Sequence, residues 1–186
     1  MTYKKSGYLF PELEPVIKGS KRKKSQIRSQ AQSVQKKIHA TKEKQDRFKI
    51  IKGIANSNAS WADEVLIQIL QDPSEEIRDF VVKELGAREK LDLKQLYQSI
   101  NRPPWYVKTG CLQILGLRKN LSSVKHIEFL IDDPNIEVRR TLAIVLGEIG
   151  GKKALALLSL LSKDKSSFVR TAAQQASQKA SSIKFS

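Results

Sequence analysis

Few side chains of this chain could carry chemistry: two histidines, one cysteine, an adjacent aspartate pair, and a column of evenly spaced basic residues. His39 sits among lysines and His126 opens an apolar run, and neither has a second histidine or a cysteine at metal-ligand spacing. Cys111 stands alone in the apolar register of a helix, so it allows no intramolecular disulfide and reads as a buried thiol of a reducing compartment. Asp132-Asp133 precedes Pro134 and reads as a turn and cap, not as a carboxylate pair set up for acid–base work. Gly147, Gly150 and Gly151 punctuate a helix end and do not form a phosphate-cradling loop. These residues lead to the expectation of a protein that is not an enzyme and carries no metal or cofactor.

The basic column is what repeats. Arg47, Arg78, Lys108, Arg139 and Arg170 are separated by 31, 30, 31 and 31 residues. The clearest copy is Asp133 to Gly147, DPNIEVRRTLAIVLG, in which Asp133 precedes Arg139 by six residues and Leu146-Gly147 closes the segment. The same template returns as Asp72…Arg78 ending in Leu85-Gly86, as Arg102…Lys108 ending in Leu115-Gly116, as Asp164…Arg170, and more weakly as Thr41…Arg47 running to Ile54-Ala55. A fixed period of this size is the mark of a solenoid, in which each unit buries its apolar face against its neighbours.

Two helices per unit must position that column. Asp72-Pro73 and Asp133-Pro134 offer an N-cap acceptor followed by a proline at the first helical position, where a missing N–H costs nothing. The second helix of each unit is therefore expected to start there. Val138, Leu142, Val145 and Leu146 share one face of a 3.6-residue period, and Gly147 is expected to supply positive φ at the helix end. The apolar runs Val65–Leu70, Ile127–Ile131 and Ala154–Leu161 are the first helices. Short apolar runs also suit strands, but Leu and Ala dominate the last one, and helical second halves at this period need helical partners.

DPxxxVR followed by an apolar Leu-Gly end closely resembles the HEAT repeat family, including the short variants known from phycobilisome lyases. The resemblance covers roughly residues 24 to 181. It implies an all-α, right-handed α-solenoid of about five two-helix repeats, with units near 24–57, 58–88, 89–118, 119–149 and 150–181 of a solenoid domain spanning 21–186. In that family the turn Asp and the second-helix Arg form an inter-unit ladder, matched here by Asp72/Arg78, Asp133/Arg139 and Asp164/Arg170. The departures are Arg102/Lys108, where a cation replaces the acid, and Thr41/Arg47. The family's binding face is the concave layer of second helices. Counting one and five residues past the column places Phe48 and Lys52, Asp79 and Lys83, Thr109 and Gln113, Arg140 and Ile144, Thr171 and Gln175 on it. Lys52, Lys83 and Arg140 are its three cations, too few for a continuous phosphate track. The His-Glu pairs of di-iron HEAT hydroxylases and the aromatic-ringed Asp of HEAT-like alkylpurine glycosylases have no counterpart. Lyase-type HEAT proteins remain a relative, though nothing marks a pigment pocket.

Charge points to partners. The 186 residues, 40% of them hydrophobic, suffice for one domain with a substantial core, and the net charge is +15. Residues 18–52 hold thirteen lysines and arginines against Glu43 and Asp46, which is eleven of those fifteen positive charges. Within them Ile27, Ala31, Val34 and Ile38 make a narrow apolar stripe on an otherwise polar helix. The stripe lacks Trp, Phe or Leu to insert into a bilayer, so Lys21, Arg22, Lys23, Lys24, Arg28, Lys36 and Lys37 are expected to meet nucleic-acid phosphate or an acidic protein surface. Trp105-Tyr106, after Arg102-Pro103-Pro104, could stack on a base or fill a partner pocket, and packing in the inter-unit groove is the preferred reading; Trp61 is read as packing. Residues 1–20, with Tyr8-Leu9-Phe10, read as a tail capping the first unit or docking on a partner. No apolar run reaches the ~18 residues of a membrane span, and none after Lys4-Lys5 suits a signal peptide, so a cytoplasmic location is expected. The function expected first is a non-enzymatic binding or scaffold module whose basic N-terminal region binds nucleic acid or an acidic protein surface, while the solenoid recognises a protein partner. The alternative is a lyase-like or chaperone-like HEAT protein acting on a partner's cofactor or assembly.

Overall fold

The structure, a computed structural model, describes residues 21–182 apart from 58, 60, 102 and 103. The expected tail at 1–20, the N-cap Ser60 and the like-charged Arg102 lie outside the described residues, as do the side chains of residues 21–28. Among the described residues the fold is all-α and without strands, a solenoid of five helix pairs. They are α1 (Lys21–Ala40) with α2 (Lys44–Ala55), α3 (Ala62–Ile69) with α4 (Glu75–Ala87), and α5 (Leu93–Ser99) with α6 (Trp105–Arg118). Then come the short α7 (Val124–Ile127) with α8 (Ile136–Ile149), and α9 (Lys152–Leu161) with α10 (Ser167–Ser182). The second helices α4, α6, α8 and α10 pack side by side.

Each helix follows from its residues, with three departures from the sequence expectation. The α1 stripe is as read: Ala31 and Ile38 are buried and Val34 is half-buried. The turn aspartates, however, are not the N-caps. Ser74 and Asn135 hold that position, while Asp72 accepts the Ser74 N–H at 2.8 Å, Asp133 that of Asn135 at 2.9 Å and Asp164 that of Ser166 at 2.7 Å. An Asx turn placed two residues before the cap leaves the second carboxylate oxygen unspent, whereas an N-cap carboxylate would be used by its own helix. In the fourth unit, α7 is flanked by 3₁₀ turns at Leu121–Ser123 and Glu128–Asp132. Its buried residues Val124, Ile127 and Leu130 recur every three positions, the spacing that a 3₁₀ turn eclipses on one side.

The third departure concerns the glycines. Gly147 lies inside α8, as Gly86 lies inside α4 and Gly116 inside α6, and the positive φ values belong to Gly150 (71°), Gly151 (89°) and Lys119 (48°). A Cβ on Gly147 would stand 2.7 Å from the Ala176 Cβ and 3.0 Å from the Ala176 carbonyl oxygen. The Leu-Gly ending is thus a slot in which the next second helix lies close, and not a helix terminator.

Candidate functional site

The basic column forms its ladder across units, each fork reaching the turn aspartate 25 residues further on. Arg47 donates through Nε to Asp72 Oδ2 at 2.9 Å and through Nη2 to Oδ1 at 3.2 Å. Arg139 does the same to Asp164, at 2.7 and 3.1 Å, and Lys108 donates to Asp133 Oδ2 at 2.6 Å. The third nitrogen of each arginine holds its own unit's turn: Arg139 Nη1 donates to the carbonyls of Asp133 (2.7 Å) and Pro134 (3.3 Å). The expected side-chain pairing of Asp133 with Arg139 is therefore corrected: Arg139 takes the Asp133 carbonyl and the Asp164 carboxylate. Burial makes these pairs strong electrostatic partners, with side-chain exposures of 4% for Arg139 and 8% for Asp164. The guanidinium hydrogen bonds hold the Asp164 carboxyl below the ordinary carboxylate range, and that carboxylate in turn raises Arg139.

The departures at Thr41 and Arg102 act elsewhere than the sequence indicates. Arg47 and Lys108 keep their rungs, because each looks forward to Asp72 and Asp133. The rung that is missing belongs to Arg78, whose counterpart position 25 residues on is a proline, preceded by Arg102. Arg78 Nη1 still donates to the carbonyls of Asp72 (2.8 Å) and Pro73 (3.0 Å), but among the described residues no carboxylate meets its Nε and Nη2. Its guanidinium carbon instead lies 4.6 Å from the ring centre of Tyr106, a cation–π contact. Tyr106 is half-buried against the core, and its ring meets Trp105 edge-on at 5.9 Å. Trp105 is 46% exposed, so the pair divides between packing and surface.

The other predicted residues scatter over the surface. Lys21, Arg22, Lys23, Lys24 and Arg28 lie along α1. Lys36 and Lys37 are exposed near the α1 C-terminus. Beside them a cleft of about 230 Å³ is lined by His39, Lys42, Gln68 and Gln71, with the Arg47–Asp72 pair in its wall. On the second helices Lys52 is exposed with its ammonium 4.3 Å over the Phe48 ring, and Lys83 is exposed. Arg140 is paired with Glu137 at 2.9 Å. Trp61 is buried, and burial pushes the Cys111 thiol up to about 12, which leaves it without thiolate reactivity at neutral pH. His126 stacks on Tyr97 at 4.1 Å.

A second basic column escaped the sequence reading. Arg88 Nη2 donates to the carbonyl of Ala55 at 2.9 Å, and Arg118 donates through Nη1 to that of Arg88 and through Nη2 to that of Glu89 at 3.1 Å. Each arginine satisfies carbonyls left over at the end of the preceding unit's second helix. The signal was present as Gly86-Ala87-Arg88 and Gly116-Leu117-Arg118. Arg88 also pairs with Asp63 at 2.7 Å, where burial raises the carboxyl more than Arg88 lowers it.

Comparison with known proteins gives a fold and a family-model match over part of the chain. The model of the family described as HEAT repeats matches residues 93–178. No curated protein matches the sequence. Among solved structures, a chain of the complex of CpcE and CpcF of phycocyanin lyase from Nostoc sp. PCC7120 superposes with a TM-score of 0.56 at 18% identity, covering 91% of this chain and 70% of that one. This likeness corrects the expectation of a non-enzyme, because the fold occurs in a lyase complex. Neither match supports nucleic acid as the partner. Among the described residues no helix is long and apolar enough to cross a membrane. With residues 93–178 matched by the HEAT-repeat model and the inter-unit ladder in place on both sides of its gap, the described residues have the fold of a HEAT-like solenoid.

Proposed function

We propose that the chain is a lyase-like or chaperone-like HEAT protein that binds another protein and acts on that partner's cofactor or assembly. The observation that carries this is the fold likeness, extending over 91% of the chain, to a chain solved in a two-protein lyase complex. The basic end supports a protein partner of complementary charge: Lys36, Lys37 and Lys49 are exposed, and Lys49 pairs with the exposed Asp46 of its own helix. Electrostatic complementarity of this kind steers encounter and selects partners more than it adds affinity. Lys52 and Lys83 extend the same positive character along the exposed side of the second helices.

The test has two steps. Tagged protein is used to capture partners from a lysate of the source cells, with and without nuclease, and the captured protein is then purified and incubated with and without the chain. The expected result is capture that survives nuclease, followed by a change in the partner's cofactor absorbance or assembled fraction. Capture abolished by nuclease, or a partner unchanged by incubation, refutes the reading.

A further inference from the structure

The forks of Arg47 and Arg139 have the same job, and so define what the fork of Arg78 lacks. In both, Nη1 is anchored on turn carbonyls while Nε and Nη2 together grip one carboxylate. Arg78 keeps the anchor, at 2.8 and 3.0 Å, and its face is fixed by the Tyr106 ring. The guanidinium is therefore anchored at one nitrogen and over one face, with the gripping edge free of any described carboxylate. That edge is not sealed in the interior: no Arg78 atom is among the buried side-chain polar atoms that lack a hydrogen bond in the described residues. Beside it Trp105 is 46% exposed, and one unit further Ile136, at the same position of its helix, is 44% exposed.

The geometry points to a docking site at Arg78 for an aspartate or glutamate side chain of a partner protein, with Trp105 taking an apolar neighbour of that acid. This rests on the reading that the chain acts on a protein. Three features choose the occupant. The two filled forks hold carboxylates in two-point geometry, which a guanidinium matches and an ammonium does not. The chain is net positive by fifteen charges, so an acidic segment is attracted over a basic one. Pre-anchoring by two carbonyls and one ring spares the rotamer entropy that a free surface arginine would lose on binding.

The chain itself supplies a probe, since its own turns fill such forks. A capped peptide copying residues 129–138, which carries Asp133, and its D133N version are titrated into the full chain while the arginine Nε–H resonances are followed by NMR. The expected result is a shift of one resonance that is absent in Arg78→Lys, with binding about tenfold weaker for the D133N peptide, the loss of one charged hydrogen-bonded contact. Trp105→Ala should weaken the parent peptide several-fold while the Arg78 resonance of the free protein stays in place. Equal binding of the two peptides, no shift of the Arg78 resonance, or a stronger response to inorganic phosphate than to the Asp peptide overturns the assignment. A captured natural partner that binds Arg78→Lys as well as the parent overturns this site and leaves the proposed function standing. A responsive Arg78 with no captured partner does the reverse.

Discussion

Replacing Arg139 by alanine removes the rung between the fourth and fifth units and also the clasp on the fourth turn. Two hydrogen bonds to the Asp164 carboxylate vanish, at 2.7 and 3.1 Å, together with the bonds to the carbonyls of Asp133 and Pro134. What remains is a nearly buried carboxylate whose other recorded partner is the Ser166 N–H. Breaking a buried pair by removing one member costs about 3–5 kcal/mol, most of it the stranded charge. For a chain of this size each kcal/mol corresponds to roughly 2–4 °C, so melting should fall by at least about 6 °C. Urea denaturation measures the loss, with the exposed substitution Lys83→Ala as a control that should stay within about 0.5 kcal/mol. Asp164→Ala is then added: if the rung is the cause, the double variant costs clearly less than the sum of the two singles. Hydrogen exchange should localise the opening to α9 and α10, the unit that the rung secures. Additive losses, or an Arg139 variant as mild as Lys83→Ala, would refute the ladder assignment.

The same geometry yields three further expectations. Gly147→Ala should cost about 1–3 kcal/mol through overpacking against the Ala176 backbone, despite better helix propensity. Gly86→Ala, which meets mainly the Leu117 side chain, 55% exposed, should cost distinctly less, and thermal melts of the two variants check the order. Asp164 has its folded pKa depressed by Arg139, so its contribution is present above the unfolded carboxylate value of about 4 and lost as pH falls through the lower folded value. The stability gap between the parent and Asp164→Asn, read by denaturation from pH 7 down to 3, should therefore be constant near neutrality and close below about pH 4. Cys111, buried with its thiol pushed up to about 12, should resist a thiol reagent in the native protein and react fully in denaturant.

The period of the basic column, the two-helix unit and the apolar stripe of α1 were all legible in the chain, because each is a local pattern: a helix face is fixed by spacing within one helix, whatever it later packs against. Cys111 was likewise placed inside by its register alone. The identity of each rung's partner was not local. It depends on how far one unit is offset from the next when second helices stack, and that offset puts Arg47 on Asp72 and Arg139 on Asp164 instead of on Thr41 and Asp133, the residues six positions before them. The same offset moves the effect of Arg102 back one unit, so that Lys108 keeps its acid and Arg78 lacks one inside the ladder; the last column residue, Arg170, likewise meets only its own turn carbonyls among the described residues. It also decides that Gly147 is needed for the approach of Ala176 and not for its own φ, since only packed neighbours reveal what a missing Cβ makes room for. Periodicity in the sequence determines which residues face a neighbour; only the stacking of whole units decides which atoms they find there.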